Sequence, residues 1–213
     1  MRSLSFRTAA ILAAMFLPAL AAAAPILPTS YDMLNGNTGS YNYWDQIYTG
    51  AGCVTCDNSP LSGGQGDLTD GIIATTNWFD AEFPPGNGPY VGWTLDPLIT
   101  FHFAPGTTVD SLTIYVDDAD GQGGVSLPSG VRINGQLFSI GDAPGAEPKA
   151  FTFGGLNLTG DVGLELLRST SWVFLSEVQF DSGTATPIPE PMSLTLLGSG
   201  LAALAGKRLR RKR

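Results

Sequence analysis

Leu98-Ile99-Thr100-Phe101-His102-Phe103, closed by Ala104-Pro105-Gly106, is followed by a run from Val109 to Val116 in which Leu112, Ile114 and Val116 share one face. Apolar and polar residues alternate with a period of two, the pattern of a strand with one buried face, and Pro-Gly supplies the break between the runs. Similar signals continue to the end of the core, at 131–133, 136–140, 151–153, 162–167 and 172–180. They are separated by Gly, Pro, Asp and Asn. Asn134-Gly135 lies between two of them, and both residue types tolerate positive φ, so a two-residue hairpin is expected there. No stretch of the core holds a helical period. Eight or so strands in about 150 residues predict an all-β fold, a jelly-roll β-sandwich. Before these runs, residues 24–66 are rich in Asn, Gly, Ser and Tyr and read as irregular, with one or two short strands.

Outside the core, both ends read as targeting segments. Residues 1–23 carry Arg2 and Arg7, an apolar stretch from Ala9 to Leu20, and small residues at Ala21 and Ala23, the three-part pattern of a signal peptide cleaved by signal peptidase after Ala23. About 12 apolar residues fall short of the roughly 20 that a spanning helix needs. At the other end, a linker at 184–188 leads into Pro189-Glu190-Pro191, an uncharged apolar stretch at 192–206, expected to be a short hydrophobic helix, and a basic tail at 207–213. Basic residues after an apolar segment hold the tail on the cytoplasmic side. Fifteen residues at about 1.5 Å each give about 22 Å, against a hydrocarbon core of about 30 Å, so the segment suits transient anchoring in the inner membrane.

Charge is distributed unevenly. Only Arg132, Lys149 and Arg168 are basic between Ala24 and Pro189, against 18 acidic residues, a formal charge of −15 for the core. No nucleic-acid partner is expected on that ground. Such a charge suits solubility outside the cell and can collect divalent cations.

The tail resembles the PEP-CTERM sorting signal of Gram-negative bacteria in three respects: Pro189-Glu190-Pro191, the Leu196-Leu197-Gly198-Ser199-Gly200-Leu201 core, and the basic end. That resemblance implies recognition by an exosortase, processing near Pro189, Glu190 and Pro191, and a place at the surface or in the biofilm matrix of cells that make exopolysaccharide. Leu27-Pro28-Thr29-Ser30 and Leu127-Pro128-Ser129-Gly130 are incomplete sortase-like sequences and read as loops.

Within the core, Leu68-Thr69-Asp70-Gly71 followed by Thr75, Thr76 and Trp78, and the segment Val173-Phe174-Leu175-Ser176-Glu177-Val178-Gln179-Phe180, resemble the first segment and last strand of galactose-binding-like jelly rolls, the group of discoidin domains and many carbohydrate-binding modules. By that resemblance Asp70, Thr75 and Glu177 would hold a structural calcium, an ion that accepts six to eight oxygen ligands. The chain lacks the paired cysteines that some of these domains place near their ends, and its segment between Trp78 and Tyr90 is unusual.

Other residues invite specific chemistry. Cys53-Val54-Thr55-Cys56 has the spacing of a redox dithiol or half a zinc site. The export signal favours a local disulfide, since the chain has no other cysteine and His102 is its only histidine. Asp117-Asp118-Ala119-Asp120-Gly121 fails the full EF-hand spacing and reads as a solvated, mutually repulsive loop. Trp44, Trp78, Tyr90 and Trp93, interleaved with Asn77, Asp80 and Asn87, are candidates for a sugar-stacking platform, with core packing as the alternative. Nothing points to an enzyme: no Gly-x-Ser-x-Gly or His-Glu-x-x-His is present, and paired carboxylates of a hydrolase have no distinguishing signal. The expectation is an exported surface or matrix protein that associates with extracellular polysaccharide, or else a structural or adhesive protein without a specific ligand, with a secreted hydrolase as a third and least favoured reading.

Overall fold

The computed structural model describes residues 24–83 and 88–183. The signal peptide at 1–23, the linker at 184–188, the sorting signal with Pro189, Glu190 and Pro191, and Asn87 lie outside the described residues. No helix among the described residues is long and apolar enough to cross a membrane.

The chain is built of antiparallel sheets. In the first, β13 (Val173–Ser182) is central. It pairs on one side with β7 (Ser111–Val116), which pairs in turn with β10 (Lys149–Phe153). Its other side is shared by β4 (Val91–Trp93) and β1 (Ala24–Ile26). The second sheet has six strands in the order β3 (Pro60–Gly64), β2 (Ser30–Leu34), β5 (Leu98–His102), β12 (Val162–Leu167), β8 (Gly130–Ile133) and β9 (Gln136–Ser139). A small ladder joins β6 (Thr108–Val109) to β11 (Leu158–Thr159). Among the described residues, helix is confined to one α-turn, α1 (Trp78–Ala81), and a 3₁₀ turn at Gln122–Gly124.

The alternation seen in the sequence is what joins the two large sheets. Ile99 and Phe101 of β5, Leu112, Ile114 and Val116 of β7, and Val162, Leu164 and Leu166 of β12 are fully buried in one shared apolar core. Their neighbours on the opposite faces are half-buried or exposed. Each such side chain contributes about 1.5–3 kcal/mol of burial free energy, so this interior dominates the favourable side of folding. Asn134 and Gly135, at φ of 47° and 83°, turn β8 into β9 with Ile133 opposite Gln136. Both central residues have positive φ, as a type I′ hairpin requires.

Two expectations need correction. Residues 24–66 are less irregular than composition suggests: they supply β1, β2 and β3, and β2 sits inside the six-stranded sheet between β3 and β5. The described residues form 13 strands rather than about eight, because strands of two or three residues such as β4, β6 and β11 are too short to display a period.

One irregularity in β13 decides where its side chains go. Leu175 pairs with Val116 but Glu177 pairs with Tyr115, so Ser176 is an extra residue, a β-bulge. Before it, Val173 and Leu175 face the core; after it, Val178 and Phe180 do. Unbroken alternation would have turned Glu177 into the apolar interior. The bulge turns it to the other face of the sheet.

Candidate functional site

That other face carries a second apolar cluster, made of rings. Phe174 lies opposite Gly92 in the β4–β13 ladder, and a Cβ on Gly92 would stand 1.7 Å from Cε1 of Phe174. The ring therefore occupies the space that any side chain at position 92 would need. Around it gather Tyr43 at a centroid distance of 4.6 Å, Trp172 at 5.6 Å, Tyr90 at 5.9 Å and Trp78 at 6.2 Å. Tyr43 and Trp78 meet edge-on at 6.0 Å, and Tyr43 and Trp172 at 5.4 Å. Edge-on and tilted pairs at these distances are favourable beyond the area they bury.

Polar contacts bring these rings in from loops. Asn77, just before α1, donates from Nδ2 to Asp117 Oδ1 at 2.9 Å and to the Asp118 carbonyl at 2.8 Å, while the Trp78 N–H donates to Asp117 Oδ2 at 3.0 Å. Asp117 is fully buried, and burial pushes its carboxyl up to about 6. Glu82 plays the same part at the other end of α1: its carboxylate accepts from the N–H groups of Gly88 at 3.0 Å and Tyr90 at 3.1 Å, and burial raises it to about 7. Trp172 is fixed through its backbone, donating to the Gly124 carbonyl at 2.9 Å.

Between the rings is a cavity of about 230 Å³ lined by Tyr43, Trp78, Trp172, Phe174 and the loop residues Gly39, Ser40, Gly123 and Val125. Gly123 has a φ of 65°, and a Cβ there would lie 2.5 Å from Cζ2 of Trp78, so glycine is needed both for the turn and for the close approach. The buried Nε1 of Trp78 has no hydrogen-bond partner. An unpaired buried donor costs about 1–3 kcal/mol.

The four aromatics singled out in the sequence do not form one platform. Trp78 lines the cavity and Tyr90 is buried beneath it, its hydroxyl donating to the Thr76 carbonyl at 3.0 Å. Trp93 is a core residue, fully buried between the sheets, with Nε1 donating to the Leu34 carbonyl at 2.8 Å. Trp44 is held in a separate loop by Asp57, which accepts from its Nε1 at 2.7 Å. Tyr90 and Trp93 therefore present no face to a ligand. Tyr43, Trp172 and Phe174 are lining rings that the sequence reading missed; Trp172 immediately precedes β13 and Phe174 lies near its start, and the i, i+2 spacing of these two was the available signal.

Of the proposed calcium ligands, Asp70 and Glu177 line one cavity of about 280 Å³, together with Pro25, Ile26 and Leu27 of the N-terminal segment. Gly71 donates its N–H to Glu177 Oε2 at 3.2 Å, and Ile72 donates to Asp70 Oδ1 at 2.8 Å. Burial pushes the Glu177 carboxyl up to about 8; the Gly71 N–H opposes that rise and the Asp70 charge adds to it. A cation would relieve the same desolvation and repulsion. Thr75 is exposed and does not line this cavity. Among the described residues, no group of three or more His, Cys, Asp or Glu side chains is arranged to hold a metal ion. A cation at Asp70 and Glu177 would thus draw its remaining ligands from backbone carbonyls and water, which calcium accepts.

A further pair of buried carboxylates, Asp45 and Asp67, lies beneath β2. Asp45 accepts from the Tyr31 hydroxyl and, at 3.0 Å, from the Asp67 N–H. Burial, then the charges of Asp45 and Asp70, push Asp67 up to about 8. Cys53 and Cys56 form a disulfide with Cα atoms 5.4 Å apart, in the loop before β3. His102 lies between Asp161, 2.9 Å from Nδ1, and Asp32, 3.1 Å from Nε2. Both ring nitrogens are occupied by carboxylates, which fits a structural rather than a base role.

Fold and site together define an all-β domain with a ring-lined cavity on the outer face of one sheet. No protein-family model matches the chain, and no curated protein matches it.

Proposed function

We propose that this chain is an exported cell-surface or biofilm-matrix protein whose jelly-roll domain binds extracellular polysaccharide in the cavity formed by Tyr43, Trp78, Trp172 and Phe174. The cavity is the observation that carries this reading. Aromatic faces stack on the C–H faces of sugar rings, and four rings line this one cavity. At about 230 Å³ the cavity is smaller than the roughly 300–1,000 Å³ typical of drug-sized ligands. It suits one sugar ring or a chain end. Arg132, Lys149 and Arg168 are all engaged, with Glu165, Glu147 and Asp96 respectively, and none lines the cavity. That favours a neutral sugar over a uronic acid.

Delivery rests on the sequence at the two ends: a signal peptide, then a PEP-CTERM signal that passes transiently through the inner membrane to an exosortase. A calcium ion between Asp70 and Glu177 would have a structural role, tying the turn at Gly71 to β13. Affinity electrophoresis of the exported protein through the producer's own polymer and a panel of galactans tests the binding. Retardation that is lost in Trp172→Ala is expected. Equal mobility of wild type in all gels would leave a structural or adhesive protein without a specific ligand. Mass spectrometry of the mature C-terminus tests the sorting, and an intact Arg213 on the exported protein would exclude processing.

A further inference from the structure

The mouth of the ring cavity is carried by a tight turn of the chain at 37–43. Thr38 and Asn42 face each other across an antiparallel bridge, and between them the Gly39 N–H donates to the Tyr41 carbonyl at 2.8 Å. Gly39, Ser40 and Tyr43 of this turn line the cavity. Its base is fixed to β4: the Asn37 N–H donates to the Gly92 carbonyl at 2.8 Å, and the Gly92 N–H donates to the Tyr43 carbonyl at 3.0 Å. A Cβ on Gly39 would stand 2.9 Å from Cε2 of Tyr43 and 3.0 Å from Cζ2 of Trp172, so the tip already lies against the rings.

On its outer side the turn is gripped by a single carboxylate oxygen. Asp57 Oδ1 accepts from the Thr38 N–H at 2.8 Å, from the Thr38 hydroxyl at 2.9 Å and from Nε1 of Trp44 at 2.7 Å. Thr38 precedes the lining residues and Trp44 follows them, so one oxygen ties both arms. Hydrogen bonds to an ionised acceptor are roughly twice as strong as neutral ones. Yet Asp57 is exposed, and the backbone bonds beside it are long: the Ser59 N–H donates to the Cys56 carbonyl at 3.3 Å and the Asn58 N–H to the Gly36 carbonyl at 3.4 Å. The firm tether lies one residue back, where Cys56 is bonded to Cys53. The Cys53 carbonyl accepts from Nδ2 of buried Asn35 at 3.2 Å, its N–H donates to Ser59 Oγ at 3.0 Å, and Val54 packs on the main core.

We infer that the Cys53–Cys56 disulfide, acting through Asp57, holds the mouth of the ring cavity in its binding shape, which makes the site redox-sensitive. Asp57 is a positioning residue: it does not line the cavity and acts through Thr38 and Trp44. The consequence for polysaccharide rests on the binding reading given above. Cys56 is exposed, so a dithiol reaches it. One thiolate of the dithiol bonds to the Cys56 sulfur and Cys53 leaves as a thiolate; the second thiolate then bonds to the first sulfur of the reductant, and Cys56 leaves. The two cysteines gain two electrons and two protons, and the dithiol ends as a cyclic disulfide. Asp57 then loses its tether and the turn samples other shapes. A cavity correctly formed in about a tenth of the molecules binds about tenfold more weakly.

The test pairs amide hydrogen exchange with affinity electrophoresis, on the exported protein oxidised, reduced by dithiothreitol, and as Asp57→Ala and Asp57→Asn. Reduction and Asp57→Ala should each speed exchange at 37–43 while β5, β7 and β12 stay protected, and should raise the polymer concentration for half-maximal retardation by about tenfold. Reoxidation should restore both. Asp57→Asn keeps an acceptor oxygen and should fall between wild type and Asp57→Ala, an order in affinity that a merely stabilising loop would not produce. If reduction unfolds the domain, β5, β7 and β12 lose protection as well, and Asp57→Ala decides alone. Exchange at 37–43 that is unchanged by Asp57→Ala, or by reduction of a domain that stays folded, overturns the proposal. So does an unchanged affinity where wild type is retarded. A wild type that no polymer retards removes the polysaccharide reading instead, and exchange at 37–43 then decides by itself whether the disulfide holds the turn.

Discussion

The two faces of the five-stranded sheet are held by different physics. Toward the six-stranded sheet, β7, β4 and β13 present Leu112, Ile114, Val116, Val91, Val173 and Leu175, aliphatic side chains delivered by regular strands. On the reverse face, Phe174 anchors Tyr43, Trp78 and Tyr90, rings delivered by loops and one helical turn. Buried polar residues divide in the same way. Asn35, Asn37, Asp45, Asp67, Asn77, Glu82, Asp117 and Asp118 all lie outside the strands, and only Ser176 and Glu177, at the bulge, lie within one. The inner face is stabilised mainly by apolar burial, which is indifferent to pH, save where Tyr31 of the core meets the Asp45–Asp67 pair. The outer face depends on carboxylates that grip backbone N–H groups, and so on protonation and cations.

The comparison is broken most sharply by one truncation on each face. Phe101→Ala removes a fully buried ring that packs on Tyr31 and Phe180 at 5.6 and 4.8 Å. A loss of about 3–5 kcal/mol is expected from denaturant unfolding, the usual range for a deleted core aromatic. Trp172→Ala, on a half-buried ring, should cost less than half as much while abolishing retardation by polysaccharide. If the two variants lost equal stability and Trp172→Ala kept its ligand, the ring cluster would be core and nothing more.

What could be read from the sequence follows the same division. The alternation of Leu112, Ile114 and Val116 and the Asn134-Gly135 hairpin are local codes, written in neighbours along the chain. The strand β4 is not: Val91, Gly92 and Trp93 are all buried, so nothing alternates. The ring cavity draws on residues from Gly39 to Phe174, and its assembly depends on the space left by Gly92 and on the grip of Asp117, neither of which has a spacing signature. Asp70 and Glu177 could be paired through a resemblance, but the reason Glu177 faces outward is a bulge at Ser176 that no periodicity reveals.

The next effect sharpens the contrast through pH. Asp67 and Glu177 are raised to about 8, Glu82 to about 7 and Asp117 to about 6, with burial the largest cause in each. For a carboxyl whose folded pKa exceeds its unfolded value, the folded state binds the proton more tightly. Its contribution is therefore fully present below the ordinary carboxylate range, near pH 4, and is lost as pH rises toward 8. In chelator, urea midpoints should fall steadily from pH 4.5 to pH 8.5. Calcium should flatten the fall, because the ion replaces the proton as the partner of the carboxylate. A profile that rises with pH in chelator would mean that these groups are stabilised as anions by something other than metal, and the contrast between the two faces would lose its basis.

The smallest expected effect comes from His102, whose pKa is raised by its hydrogen bond to Asp161, with burial opposing and the bond to Asp32 adding to the rise. Asp161 precedes β12, and Asp32 belongs to β2, so the protonated imidazole bridges segments that flank β5 on both sides. For a base with a raised folded pKa the sign matches that of the buried acids: stability is fully present below about 6.5 and disappears as pH climbs through the folded value. The mechanism differs, because here charge is gained rather than avoided, and high salt should weaken it while leaving the buried carboxyls unaffected. Both carboxylates are about half exposed, so the pair of contacts belongs with surface ion pairs worth about 0.2–1 kcal/mol each. His102→Gln should therefore lose a fraction of a kcal/mol to about 2 kcal/mol at pH 5 in low salt, and nothing measurable at pH 9. An equal loss at both pH values would mean that the ring acts by packing between Asp32 and Asp161 and not by its charge.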